Sequence, residues 1–412
     1  MNSENKVSIT KLILSLPVLV AALGYLVDMY DLFLFNIVRV PSLKELGLEN
    51  DQILKQGLNL LNIQMAGMLM GGIAWGILGD KRGRLSVLFG SIIIYSIANI
   101  ANGLIHSLPA YYTWRFIAGF GLAGELGAGI TLVTEILPSR VRGYGTTLVA
   151  TLGVVGALLA YVTAHTFSWR TSYLIGGALG FLLLIMRFRV FESGVFIHLK
   201  EKDIKRGQFF KIFTDKHRII QYMTGIFMGM PIWFVVGILI TFSPEFGRAM
   251  QLDEAVDAGK AVLLTFSGQV AGNLVTGSLS QYWQSRKKVI LIFMLLSFSF
   301  VLIYLLSGIH SILAFYIICV CLGFCSGYWT LFITVAAELF GSDIRATVAT
   351  TIPNFVRATV IPLSAVFTVL KAQSGVLKGA LEVAVGTYII GMVALYFLEE
   401  TFHKDLDYIE KP

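Results

Sequence analysis

Hydrophobic residues gather along this chain into long blocks separated by short polar breaks. Within a block they do not keep the three- and four-residue spacing of a helix with one wet face. The blocks run near residues 12–40, 58–79, 85–105, 109–137, 144–166, 169–188, 218–244, 259–282, 289–307, 311–339, 345–370 and 377–398. At about 1.5 Å of rise per residue each can cross a hydrocarbon core roughly 30 Å thick, which predicts twelve membrane-spanning helices. The first block is too long for the apolar core of a signal peptide and has no small-residue cleavage site near its end, so it reads as a retained helix.

Composition agrees with that pattern: of 412 residues 56% are hydrophobic and 14% charged, whereas a soluble chain of this length would spread charge along every helix. The net charge of +7 could suggest a nucleic-acid partner, but its distribution gives another account. With the N-terminus in the cytoplasm, that side carries the N-terminal lysines, Lys81-Arg82-Gly83-Arg84, Arg140, Arg142, the loop from Arg187 to Arg218, Arg286-Lys287-Lys288, Arg345 and the C-terminal tail. This places about 22 of the 32 Lys and Arg inside and about eight outside, as the positive-inside rule requires. The excess charge is therefore topogenic and no nucleic acid is expected. The expected setting is the lipid bilayer of a bacterial inner membrane, with both termini cytoplasmic. Cys319, Cys321 and Cys325 fall in one apolar block without a nearby His, which supports neither a disulfide framework nor a metal site.

The longest polar stretch divides the chain into residues 1–188, a linker at 189–217, and residues 218–412. The halves repeat. The fourth block ends Glu135-Ile-Leu-Pro138-Ser-Arg-Val-Arg142-Gly143 and the tenth ends Glu338-Leu-Phe-Gly341-Ser-Asp-Ile-Arg345-Ala346, so a Glu precedes an Arg by seven residues in each. A parallel repeat predicts two six-helix bundles around a central cavity, with access alternating by rocking.

Between the second and third blocks lies Gly76-Ile-Leu78-Gly-Asp80-Lys-Arg-Gly83-Arg84, followed by Leu88. It closely resembles the cytoplasmic-loop signature of the major facilitator superfamily and falls in the matching loop. Gly83 permits a tight turn, and Asp80 can pair with a basic group to hold the halves together. The counterpart around Ser280 to Lys288 keeps only the basic cluster. Arg115-Phe-Ile-Ala-Gly119-Phe-Gly121-Leu-Ala-Gly124-Glu125 is similar to a second superfamily signature, and its glycines allow close helix approach. With Glu135, Pro138, Arg142-Gly143 and Trp169-Arg170, the chain resembles the metabolite:proton symporters and sugar porters of the superfamily over nearly its whole length. Asp28-Met-Tyr-Asp31 resembles the paired acids of the aromatic-acid and related carboxylate:proton symporters. The fifth block, Gly153-Val-Val-Gly156, lacks the Gly-Pro pair of the drug:proton antiporters, which disfavours export. The resemblance implies an all-α membrane protein of twelve transmembrane helices in two pseudo-symmetric six-helix bundles, acting as a monomer without a cofactor, the proton serving as coupling ion.

Ionisable groups at membrane depth are costly unless paired or wetted, which makes them functional candidates. Asp28 and Asp31 are three residues apart, hence on one helical face, and two close carboxylates repel when both are ionised. They are suited to carry a proton, and Glu125, near the middle of the fourth block, is a further proton or substrate group or else the ion-pair partner of Arg115 or of a basic group on another helix. Arg357 lies near mid-bilayer beside Pro353 and Pro362, suited to grip a carboxylate or to neutralise Asp28 or Asp31. Asn354, Gln269, Asn273, Tyr30, Tyr161, Trp233 and Trp329 are candidates to complete a substrate pocket, with Gln269 and Asn273 one turn apart on one face. Tyr25, Asn62, Gln64 and Tyr328 are weaker pocket candidates. Asp80, Arg84, Arg115, Glu135, Arg142, Glu338 and Arg345 are assigned to gating.

The expectation is a transporter that imports a small organic anion, a mono- or polycarboxylate, with protons. An amino acid, sugar, cationic solute or carboxylate-type metal chelate, or export, are the alternatives. Scattered histidines argue against a membrane-embedded enzyme, and an internal two-half repeat argues against a multisubunit channel.

Overall fold

The structure is a computed structural model and is described here for residues 12–187, 207, 209–341 and 344–402. Much of the 189–217 linker and the last ten residues therefore lie outside the described residues. The first half comprises α1 (Leu16–Glu45), α2 (Asn50–Arg82), α3 (Arg84–Gly103), α4 (Leu108–Leu122) continued by α5 (Glu125–Ile136), α6 (Ser139–Thr166) and α7 (Trp169–Arg187). After a short 3-10 helix, Phe209–Thr214, the second half comprises α8 (Lys216–Phe234), α9 (Ser243–Ala249), α10 (Ala258–Trp283), α11 (Arg286–Leu306), α12 (Ile312–Cys325) continued by α13 (Trp329–Glu338), α14 (Arg345–Ala358) continued by α15 (Val360–Ser374), and α16 (Val376–Phe397). Eleven of the described spans are long and apolar enough to cross a membrane. The twelfth, α10, matches them in length but is more polar, carrying Lys260, Gln269, Asn273 and Gln281.

Local chemistry sets the boundaries. Gly83 stands at φ 101°, in the left-handed region that a side chain disfavours, and turns α2 into α3. Asp257 accepts from the Lys260 N–H at 2.6 Å, and Ser285 from the Lys288 N–H at 3.3 Å, so each caps the helix it opens. The first helix runs to Glu45, past the predicted end at residue 40, because Pro41 lies within it without ending it.

The packing repeats as the sequence does, at glycines. A Cβ on Gly67 would fall 2.2 Å from the Phe116 carbonyl oxygen, and on Gly119 2.2 Å from that of Gln64, so α2 and α4 touch along their backbones. In the second half a Cβ on Gly268 would clash with the Val320 carbonyl oxygen and one on Gly323 with that of Thr265, the same close approach between α10 and α12. Without a hydrophobic driving force inside lipid, such close approach is what holds helices together.

Four spans are interrupted partway through the bundle. The fourth breaks at Ala123–Gly124, the seventh passes into a π-helical stretch at Val235–Ile240 after Pro231, the tenth carries a 3-10 turn at Ser326–Tyr328, and the eleventh breaks at Thr359 before Pro362. Irregular backbone at membrane depth is tolerated where protein or a cavity shields it, and these breaks surround the charged centre described next.

Candidate functional site

The centre is an ion pair that joins the two halves. Asp28, on α1, places Oδ2 3.3 Å from Nη2 of Arg357 on α14, and both residues are buried. The guanidinium carbon lies 5.9 Å from the ring centroids of both Trp233 and Trp329. Those rings meet edge-on with centroids 6.4 Å apart, and the Trp329 indole N–H donates to the Tyr25 hydroxyl at 2.8 Å. Trp233 sits just before the π segment and Trp329 just after the 3-10 turn, so the helix breaks carry both rings to the charge. Asn354 accepts from Arg357 Nη1 at 3.4 Å while its own amide donates to the carbonyls of Ala123 and Thr350, at 2.9 and 2.7 Å. It thereby braces the break in the fourth span as well as the arginine.

Two further pairs lie within the first half. Arg115 Nη1 is 3.7 Å from Asp31 Oδ1, donates to the Gln64 side-chain carbonyl, and stacks over Phe35 and Tyr173 at 4.9 and 5.8 Å. Asp31 and Arg115 therefore form one unit deep in the bundle, whereas the sequence groups Arg115 with the gating residues. Glu125 opens α5 at the break, and its carboxylate pairs with Arg187 at 2.5 Å and accepts from the Ser91 hydroxyl at 2.6 Å. Arg187 was counted with the basic loop after the sixth block. The structure buries it completely at the end of α7, where it also donates to the Leu88 carbonyl. A block-end arginine looks the same in sequence whether it faces water or turns inward, so the signal that could have found it was the unmatched Glu125.

Several buried polar atoms have no hydrogen-bond partner among the described residues: Asp28 Oδ1, both Asp31 oxygens, the Trp233 indole N–H, Gln269 Oε1, and both amide atoms of Asn273. Buried polar groups are ordinarily satisfied by protein, water or ligand, so the atoms of this set are open to a further partner. Tyr30 and Tyr161 stand outside it. The Tyr30 hydroxyl bonds the Ser172 carbonyl at 2.7 Å and Thr163 at 2.9 Å, tying α1 to α6 and α7. Tyr161 stacks on His165 near the end of α6 and packs against Gly259.

A separate cluster lies at the face bearing Lys81 to Arg84, here the basic face. Arg84 forks onto Glu135 at 2.7 and 3.1 Å and lies 3.6 Å from Asp80. Across the seam Asp80 accepts from the N–H groups of Ala346 and Thr347 at 3.1 and 2.8 Å and from the Thr347 hydroxyl at 2.6 Å, while Arg345 reaches Glu135 at 3.5 Å. A carboxylate at the N-terminus of α14 is favoured by the exposed amide dipoles there. Also in the first half, Arg142 donates to the Thr134 carbonyl at 3.0 Å, and in the second half Glu338 takes Arg286 at 3.4 Å.

Residues 21–364 match the Major Facilitator Superfamily. The chain belongs to that superfamily. It is similar to a metabolite transport protein of Haemophilus influenzae, 27% identical over 410 residues that span 92% of this chain and 94% of that one. It is also similar to the niacin transporter NiaP of Acinetobacter baylyi, 30% identical over 206 residues, 49% of this chain and 44% of that protein. Among solved structures, the superfamily proton:xylose symporter XylE superposes with a TM-score of 0.77 at 16% identity, covering 97% of this chain and 98% of that one. The chain is thus a multi-pass membrane transporter with the superfamily fold and not an enzyme.

Proposed function

We propose that this transporter imports a small organic anion, a carboxylate, together with protons. The observation that carries the reading is the Asp28–Arg357 pair, buried between the halves with tryptophans over the guanidinium. An incoming carboxylate and Asp28 compete for one cation. Protonating Asp28 frees Arg357 to bind the anion, so proton and substrate load together and the halves can rock without an uncompensated buried charge. Asp31 with Arg115 repeats the arrangement within the first half and offers a second site for a proton. The indole rings suit a flat, apolar substrate body, and the likeness to a transporter of niacin, a small aromatic carboxylate, supports that shape. On this reading the protein acts as a monomer in a bacterial inner membrane with the basic face and both termini in the cytoplasm. Residues 1–188 and 218–412 rock about the 189–217 linker, and no cofactor takes part.

The test is uptake by protein in liposomes from a panel of carboxylates, amino acids and sugars under an imposed pH gradient. Carboxylate uptake should follow the gradient and be lost in Arg357→Gln. Asp28→Asn and Asp31→Asn should abolish gradient-driven uptake while sparing exchange. Full coupling in both acid variants, or no response to pH with any solute, would overturn the proton assignment.

A further inference from the structure

At the face opposite the basic one, a cleft of about 410 Å³ opens between α2, α9, α15 and α16. Leu58, Phe242 and Phe367 give it an apolar wall, and Lys55, Lys371 and Glu245 are its charged members. The two phenyl rings lie side by side, centroids 6.2 Å apart.

Behind Phe242 stands Arg39 of α1, its guanidinium carbon 6.0 Å from the ring centroid. Its side chain runs over Gly57 of α2, where a Cβ would come within 2.5 Å of Arg39 Cδ. Arg39 is 4% exposed, yet among the described residues it has no ion pair within 4.0 Å and no side-chain hydrogen bond, and its Nε is wholly buried. The acid whose charge acts on it is Glu245 on α9. Glu245 in turn has Oε1 3.7 Å from the exposed Arg248 and Oε2 buried without a partner. The cleft therefore holds Lys55 and Lys371 with one carboxylate, and Arg39 stands behind its Phe242 wall. A nine-tenths buried cation lacking its counter-ion is costly, and an anion arriving through the cleft would relieve that cost.

We propose that this cleft is a second binding site, at the outer mouth, for an organic carboxylate: its apolar body lies on Phe242 and Phe367 and its carboxylate becomes the partner that Arg39 lacks. The site loads anions ahead of the central Arg357. The inference rests on the organic-anion reading above, and its test is separate from the uptake assay that judges that reading.

4-Fluorobenzoate binding is measured by fluorine NMR on the full chain in discs of phosphatidylcholine, in an Arg357→Gln background that removes the central cation. Binding should persist in that background. It should weaken about tenfold when Arg39→Gln is added, the effect of losing one charge-assisted contact. Glu245→Gln, which removes the neighbouring negative charge, should tighten it about threefold. Opposite signs at two facing positions are not what a folding defect produces. Loss of all binding in Arg357→Gln alone, or binding indifferent to Arg39, overturns the proposal. So does displacement of the probe when phosphatidylglycerol replaces phosphatidylcholine, which assigns the cleft to a lipid phosphate. Carboxylate uptake by the unaltered protein alongside any of these outcomes leaves the central-site reading standing.

Discussion

At the basic face the two copies of the repeat are wired differently. In the first half Asp80 and Glu135 reach across the seam to Thr347 and Arg345. In the second half the hydrogen bonds and ion pair of Arg286 and Glu338 among the described residues stay within their own half. Glu338 accepts from the Thr401 hydroxyl at 2.8 Å, Arg286 donates to Ser280 at 2.7 Å and lies 4.8 Å from the Phe402 ring, and Glu400 accepts from Ser285 and from the N–H groups of Arg286 and Lys287. The difference begins in sequence, where the second copy has no acid to match Asp80. One cluster ties the two halves across the seam, and the other secures the end of the last span. Pseudo-symmetry of fold therefore does not extend to these charged contacts.

The largest expected effect breaks the second cluster. Glu338→Ala leaves Arg286 buried without its carboxylate, a loss on the order of 3 kcal/mol, and should show as a clear drop in melting temperature of the purified protein. Spin labels at Tyr144→Cys and Tyr282→Cys, exposed positions on α6 and α10, should report an unchanged distance distribution across the seam. A change in that distance would mean both copies gate. Asp80→Asn comes next and should do the reverse. It removes the charge at the α14 N-terminus, about 1–2 kcal/mol, enough to move roughly tenfold more of the population to the form open at the basic face. The same labels should separate while the melting temperature falls little.

Much of this contrast could be read before any fold was known. The apolar blocks located the spans because bilayer thickness leaves few alternatives, and the Glu135 and Glu338 copies disclosed the repeat. Asp28 and Arg357 stood out because charge at mid-bilayer is rare. Arg187, Arg286 and Arg39 did not, since each sits near a block end where a solvated basic residue is the rule. Their burial depends on how α7, α11 and α1 pack, which no single segment encodes. Asn354 is legible as a candidate to complete a pocket, but one of its two backbone acceptors, the Ala123 carbonyl, comes from a break in another span, while the Thr350 carbonyl lies one turn back in its own helix.

A smaller effect concerns pH. Burial alone would push the Glu400 carboxyl up, but the Ser285 hydroxyl and the N–H groups of Arg286, Lys287 and Phe402 outweigh it and hold the group below its ordinary value of 4.5. A depressed value means that the stabilisation is complete above that ordinary value and is lost only as pH falls through the folded value. A spin label at Tyr396→Cys should therefore keep the same mobility between about pH 5 and pH 8. Mobility that rises toward pH 5 would place a proton switch in the second cluster, and pH-dependent transport would then no longer point to the centre alone.

The smallest effect tests whether the seam depends on charge. Thr334 of α13 and Thr146 of α6 meet across the halves with hydroxyl oxygens 2.9 Å apart, close to the Asp80 cluster in chain position but without an ion. Thr334 also donates to the Thr330 carbonyl, at 2.8 Å, so its hydroxyl keeps a partner when the halves separate. Thr334→Val removes one neutral hydrogen bond of about 0.5–1 kcal/mol and adds a methyl of the same size. The label distances should shift by much less than in Asp80→Asn. An equal shift would show that many weak contacts hold this face closed, with Asp80 one among them.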